Sequence, residues 1–179
     1  MSQEENNRVV KKGMVLGVAL SFCLSVLLYI VLPKFSQEVI LLERIRIGLE
    51  SLVFPAALFL FMIFRVGAQR FGNPSENPLE TLANNEGMQV DLRVLSNTHE
   101  QIILFAINAL ALSILLPYQY LSLVPIYSGF FVVGRMFFWM AYKHNVLWRA
   151  PGFAMSMLPA VIGLAYCCFV IVRNVFTNF

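Results

Sequence analysis

Five long apolar runs dominate this chain and leave it one class of fold. They cover about residues 13–32, 47–64, 100–116, 121–142 and 152–172. A helix that crosses a bilayer needs about 20 mostly apolar residues, each adding roughly 1.5 Å across a hydrocarbon layer of about 30 Å. The runs are continuous and do not alternate in polarity, which predicts spanning helices rather than the strands of a barrel. Composition agrees. Of 179 residues, 59% are hydrophobic, only 13 are Lys or Arg and 10 are Asp or Glu, and mean hydropathy is +0.72. A soluble domain of this length needs a larger charged surface. The expectation is an all-α, multi-pass transmembrane helix bundle with the lipid bilayer as its first partner. The formal net charge of +3 suggests no nucleic-acid role.

The connections are short except for one. Pro117-Tyr118-Gln119-Tyr120 joins the third and fourth runs, making those helices antiparallel neighbours. The first run follows basic Arg8, Lys11 and Lys12, but it is long and Pro33-Lys34-Phe35 offers no small-residue cleavage site, so it is read as a retained helix. Residues 67–92 form the one long polar segment, with Gly72, Asn73, Pro74, Asn77, Pro78 and Gly87 predicting turns and short helical pieces. With five spans, the amino terminus, this segment and the stretch after Tyr142 share a side. That side carries Arg8, Lys11, Lys12, Arg65, Arg70, Arg93, Lys143 and Arg149, against Lys34, Arg44, Arg46 and Arg173 opposite. The excess predicts a cytoplasmic amino terminus. Cys23, Cys167 and Cys168 lie inside apolar runs, where buried small side chains are expected, with no disulfide framework or metal spacing. Gly13 and Gly17 make a small-xxx-small pair suited to helix packing. Glu50 can pair with Arg46 across one turn.

The polar residues inside the runs carry the functional information. Arg135 stands within Phe-Phe-Val-Val-Gly-Arg-Met-Phe-Phe-Trp, where a charge costs at least about 2.5 kcal/mol unless it meets a partner or a wet cavity. Arg135, Phe138 and Tyr142 share a helical face, and Arg149 follows just beyond the helix end. A helix starting near Leu92 places Arg93, Asn97 and Glu100 in a second stripe, continued by Asn108, and Arg65 ends the second run at the same level. A structural ion pair such as Glu100 with Arg135 would explain the pattern without chemistry. A functional site would explain it equally.

Arg93-Val-Leu-Ser-Asn97-Thr-His-Glu100 resembles the Arg-x-x-x-Asn-x-x-Glu signature of the MAPEG proteins, the membrane-associated proteins in eicosanoid and glutathione metabolism. Gly134-Arg135-Met-Phe-Phe-Trp-Met-Ala141-Tyr142 is similar to a second family motif. Arg65 followed by Phe71-Gly72-Asn73-Pro74 resembles the end of the family's first helix and the loop after it. The motifs stand in family order and cover about residues 45–175. The resemblance implies a four-helix protomer at 45–175, with polar loop 67–92, assembling as a homotrimer with sites between subunits. Residues 1–36 would then be a tail and an extra transmembrane helix, as in the five-helix mattrin-type relatives or another divergent branch.

Carried over by matching position, Arg65, Arg93, Asn97, Glu100, Arg135 and Tyr142 would bind glutathione or brace its pocket. Arg149 would activate the glutathione thiol, whose free pKa near about 8.5 falls beside a guanidinium. Phe138 departs from the Tyr or His common one turn after the buried arginine, and Ser96 and Gln101 depart from frequent aromatic or basic residues. The implied function is a membrane-bound glutathione-dependent transferase, peroxidase or isomerase acting on a lipophilic small molecule, with no metal. The alternative is a non-catalytic lipid-binding or scaffold member of the same family.

Overall fold

Each apolar run is one helix, and all five helices reach beyond at least one end of their runs. The computed structural model describes residues 3–72 and 86–177. Its helices are α1 Gln3–Val31, α2 Leu41–Gly72, α3 Glu86–Leu115, α4 Leu123–His144 and α5 Ala150–Thr177. All five are long and apolar enough to cross a membrane, and no strand occurs among the described residues. The protein is a multi-pass integral membrane helix bundle. Helix α2 has 32 residues and spans about 48 Å, so its ends stand outside the hydrocarbon layer. The polar segment is therefore helical at both ends. Residues 67–72 continue α2 and 86–92 begin α3, held together where Gln69 Nε2 donates to Asp91 Oδ2 at 2.8 Å. The turn expected around Asn73, Pro74, Asn77 and Pro78 lies outside the described residues.

Backbone groups inside a membrane need partners within the protein, and side chains supply them where the helices are interrupted. Pro55, inside α2, has no N–H to give the Ser51 carbonyl, and Ser128 Oγ of α4 donates to that oxygen instead, at 2.5 Å. At the C-terminus of α3, Arg44 Nη1 donates to the carbonyls of Leu116 at 2.6 Å and Ile114 at 3.1 Å. Both charge and donor count suit this helix end.

Two close approaches set the packing. A Cβ on Gly152 of α5 would lie 2.5 Å from the Phe138 nitrogen and 2.6 Å from the Gly134 carbonyl oxygen, so only glycine lets α4 and α5 touch backbone to backbone there. Helix α1, the least buried of the five, lies along α5 with Gly13, Gly17 and Ser21 as its buried stripe. Its C-terminal end is tied to the α3–α4 turn, where Tyr29 Oη donates to the Gln119 carbonyl at 3.1 Å. Nearby, Ser122 Oγ donates to the Pro33 carbonyl at 3.0 Å. The apolar core has one large cluster around Phe105, Leu112, Leu121 and Phe131 and two smaller ones, Met62, Val94 and Phe138 under the polar end and Ile126, Phe130 and Met155 between α4 and α5. Cys167 is buried, but Cys23 and Cys168 face outward, correcting the expectation that all three are buried; each stands on the outer face of its helix.

Candidate functional site

At the end of the bundle where α1, α3 and α5 begin and α4 ends, the helices enclose a cavity of about 330 Å³. Arg93 and Asn97 of α3, Tyr142 of α4 and Arg149 are its polar lining, and Val10, Met14, Phe138 and Phe153 its apolar lining. Arg149 is placed by a short 3-10 turn, Val146–Arg149, that opens on Asn145; its side chain accepts from the Leu147 N–H at 3.0 Å. The Arg149 guanidinium carbon lies 5.0 Å from the centre of the Tyr142 ring, and that ring meets Phe138 edge-on at 5.5 Å. Among the described residues no carboxylate forms an ion pair with Arg93 or Arg149. Ala150, the first residue of α5, also lines the cavity and brings the positive end of that helix to it.

Arg135 lies behind this cavity and is fully buried. Its Nη1 donates to Asn97 Oδ1 at 2.7 Å and its Nη2 to Ser156 Oγ at 2.8 Å, and its guanidinium carbon lies 4.4 Å from the centre of the Phe138 ring. Ser156 in turn donates to Gln101 Oε1 at 2.8 Å. A guanidinium only donates, so it fixes the Asn97 carbonyl oxygen toward itself and leaves the amide N–H groups for the cavity. The site surface therefore offers donors: two guanidiniums, the Asn97 amide and the Tyr142 hydroxyl.

The pairing of Glu100 with Arg135 is not formed. Glu100 is exposed on the outer face of α3, and the partners of Arg135 are neutral. At 100° per residue Glu100 stands about 60° round the helix from Asn97, enough to turn it away from α4. Arg65 is also outside the cavity. Its Nε donates to Asp91 Oδ2 at 3.0 Å, while Lys143 Nζ at 3.0 Å and Trp139 Nε1 at 2.7 Å reach Asp91 Oδ1. Asp91 is 4% exposed and joins α2, α3 and α4 beside the cavity. In the sequence it is one of four acids in segment 67–92, with Glu76, Glu80 and Glu86, and nothing in its spacing sets it apart from them. The available signal was Arg65 and Gln69, one turn apart at the end of α2.

So the structure brings Arg93, Asn97, Tyr142 and Arg149 to one cavity, sets Arg135 behind them, and leaves Arg65 and Glu100 apart. A larger groove, about 790 Å³ at the opposite end, is walled mostly by apolar side chains such as Phe54 and Val132. Its charged residues occupy each other: Arg46 lies 3.3 Å from both Glu43 and Glu50. A model of the MAPEG family matches residues 50–170, which takes in every candidate residue above except the α1 pair Val10 and Met14. No curated protein and no solved structure matches the chain.

Proposed function

The chain belongs to the MAPEG family of membrane proteins, and from that premise we propose that the cavity binds glutathione and presents its thiolate to a lipophilic substrate drawn from the bilayer. The observation that carries this reading is a cavity lined by donors and by no carboxylate, with two guanidiniums that have no ion-pair partner among the described residues. A tripeptide with two carboxylates and amide carbonyls is rich in acceptors, and planar arginine forks suit carboxylates. Arg149 is the thiol-activating group in this proposal. It stands at the end of the 3-10 turn between α4 and α5, and its guanidinium stabilises a thiolate by nearby positive charge. Arg135 acts one step back, by orienting Asn97. Arg65 acts through Asp91, holding the end of α2 against α3.

The ligand's ammonium needs a counter-charge, and among the described residues no carboxylate lines the cavity. Glu100 is a carboxylate within a spanning helix, exposed on this chain and without an ion pair among the described residues. An exposed acid in that setting is costly until something outside the chain covers it. This supports a homotrimer in which the site is completed between copies. The Lys and Arg excess at the cavity end supports a cytoplasmic amino terminus and a cytoplasmic mouth.

Glutathione titrated into purified protein in nanodiscs, followed by thiolate ultraviolet absorbance and turnover with model electrophiles, tests the reading. Arg149→Ala is expected to lower turnover about 10²–10³-fold, the scale of losing one charge-stabilising donor. Glutathione affinity should change much less, and the thiolate signal should fall at neutral pH. Unchanged turnover would remove Arg149 from the mechanism. A wild-type protein that takes up lipid but no glutathione would overturn the enzyme reading.

A further inference from the structure

Helix α1 lies outside the region matched by the family model, yet it supplies part of the cavity wall. Val10 and Met14, one turn apart, line the same space as Tyr142 and Arg149. Their position is set by the close approach of Gly13 and Gly17 to Pro151. A Cβ on Gly17 would lie 2.5 Å from the Pro151 carbonyl oxygen and 2.8 Å from its Cα, and one on Gly13 would lie 3.1 Å from Pro151 Cδ. The backbone of α1 therefore rests on the first turn of α5, directly after Arg149, and the two glycines fix how near Val10 and Met14 come to that arginine. Beyond Met14 the surface of α1 remains apolar and open, with Val18 and Phe22 exposed.

We propose that α1 is the wall that selects the lipophilic substrate, with Val10 and Met14 as specificity-determining residues for an alkyl chain carried next to the glutathione sulfur. The inference rests on the glutathione reading above. The cavity is divided in kind: donors from α3, α4 and Arg149 hold the peptide, while Val10, Met14, Phe138 and Phe153 face whatever the sulfur carries. Val10 and Met14 are aliphatic, and methionine's unbranched thioether adapts to a flexible chain. From Met14 the exposed face of α1 continues toward the hydrocarbon, so a chain seated at the sulfur has an apolar track to follow.

The test uses S-alkylglutathiones from methyl to decyl, bound to the full chain in nanodiscs. In the wild type each methylene that meets the wall should tighten binding by up to about fourfold. Met14→Trp fills the wall, and the affinity ratio of S-decyl- to S-methylglutathione should fall at least about tenfold. Met14→Ala, which keeps the Gly13 and Gly17 contact and creates no clash, should reduce the same ratio by a smaller factor. Chain-length dependence identical to wild type in both folded variants would overturn the assignment. Equal loss for S-methyl and S-decyl ligands would also overturn it, because α1 would then be only a support. Absence of glutathione and S-methylglutathione binding in the wild type would overturn the underlying reading and this inference with it, whereas binding with an unmoved ratio would overturn this inference alone.

Discussion

Asp91 and Arg135 are both buried charges in spanning helices, and the protein accommodates them in opposite ways. Asp91 is enclosed by charge and strong donors: Arg65 and Gln69 from α2, Trp139 and Lys143 from α4. Among the described residues Arg135 has no acid partner; it meets Asn97, Ser156 and the ring faces of Phe138 and Phe153, at 4.4 and 5.8 Å. The difference follows from the groups. A carboxylate concentrates charge on two oxygens and needs donors on both. A guanidinium spreads its charge over a plane, is weakly hydrated, and can stack on rings. Each charge fastens three helices. Both use α3 and α4, with α2 as the third at Asp91 and α5 as the third at Arg135. In the cavity, Asn97 is held by Arg135, and the Tyr142 ring packs on Phe138, the ring that Arg135 stacks on.

The contrast is broken most severely at Arg135. Arg135→Leu takes the guanidinium donors from Asn97 Oδ1 and Ser156 Oγ and leaves a cavity between α3, α4 and α5, and each unmet group costs about 1–3 kcal/mol. The largest loss of apparent melting temperature and folded yield in detergent is expected here. Arg135→Lys should recover only part of it, since an ammonium lacks the fork that meets Asn97 and Ser156 together. A leucine variant as stable as wild type would show that these polar contacts do not tie α3 to α5.

A smaller effect is expected at Asp91. Asp91→Asn leaves Arg65 and Lys143 facing each other without an acid, but their side chains are 44% and 33% exposed and can turn toward water. The cost should be about 1–2 kcal/mol, below that of Arg135→Leu. Repulsion between exposed cations is screened, so the difference from wild type should narrow in high salt. A salt-independent loss would mean that the Trp139 and Gln69 bonds, rather than charge, carry the clamp.

What the sequence revealed follows the same physics. The five helices were legible because membrane thickness demands long apolar runs. Their true ends were not, because residues such as Gln69 and Asp91 are polar for the sake of each other rather than for water. The convergence of Arg93, Asn97, Tyr142 and Arg149 could be read from helical spacing and family motifs. Glu100 shares that spacing, yet it stands about 60° round α3 from Asn97 and about 10 Å along the helix from Arg93, so it is exposed rather than set against Arg135. Asp91 was hidden among loop acids, and Val10 and Met14 were two apolar residues among many. Only the approach of Gly17 to Pro151 gives them a location.

The mildest change sharpens the comparison by making the second region resemble the first. Gln101 is 5% exposed and its Oε1 accepts from Ser156; among the described residues neither its Nε2 nor Arg135 Nε has a hydrogen-bond partner. One hydroxyl separates the two side chains. Gln101→Glu would place a carboxylate within reach of a guanidinium that has a free donor, converting a cation among neutral dipoles into an ion pair. The attraction gained is offset by the cost of taking a second charge out of water. The net change in stability should therefore stay within about 1 kcal/mol, read as a small shift in apparent melting temperature. If Arg135 turns toward the new acid, it releases Asn97, and glutathione affinity should drop while stability holds. Stability and affinity both unchanged would mean that Arg135 keeps Asn97 oriented even with an acid beside it. A large loss of stability would show that this part of the bundle tolerates one buried charge because it is alone.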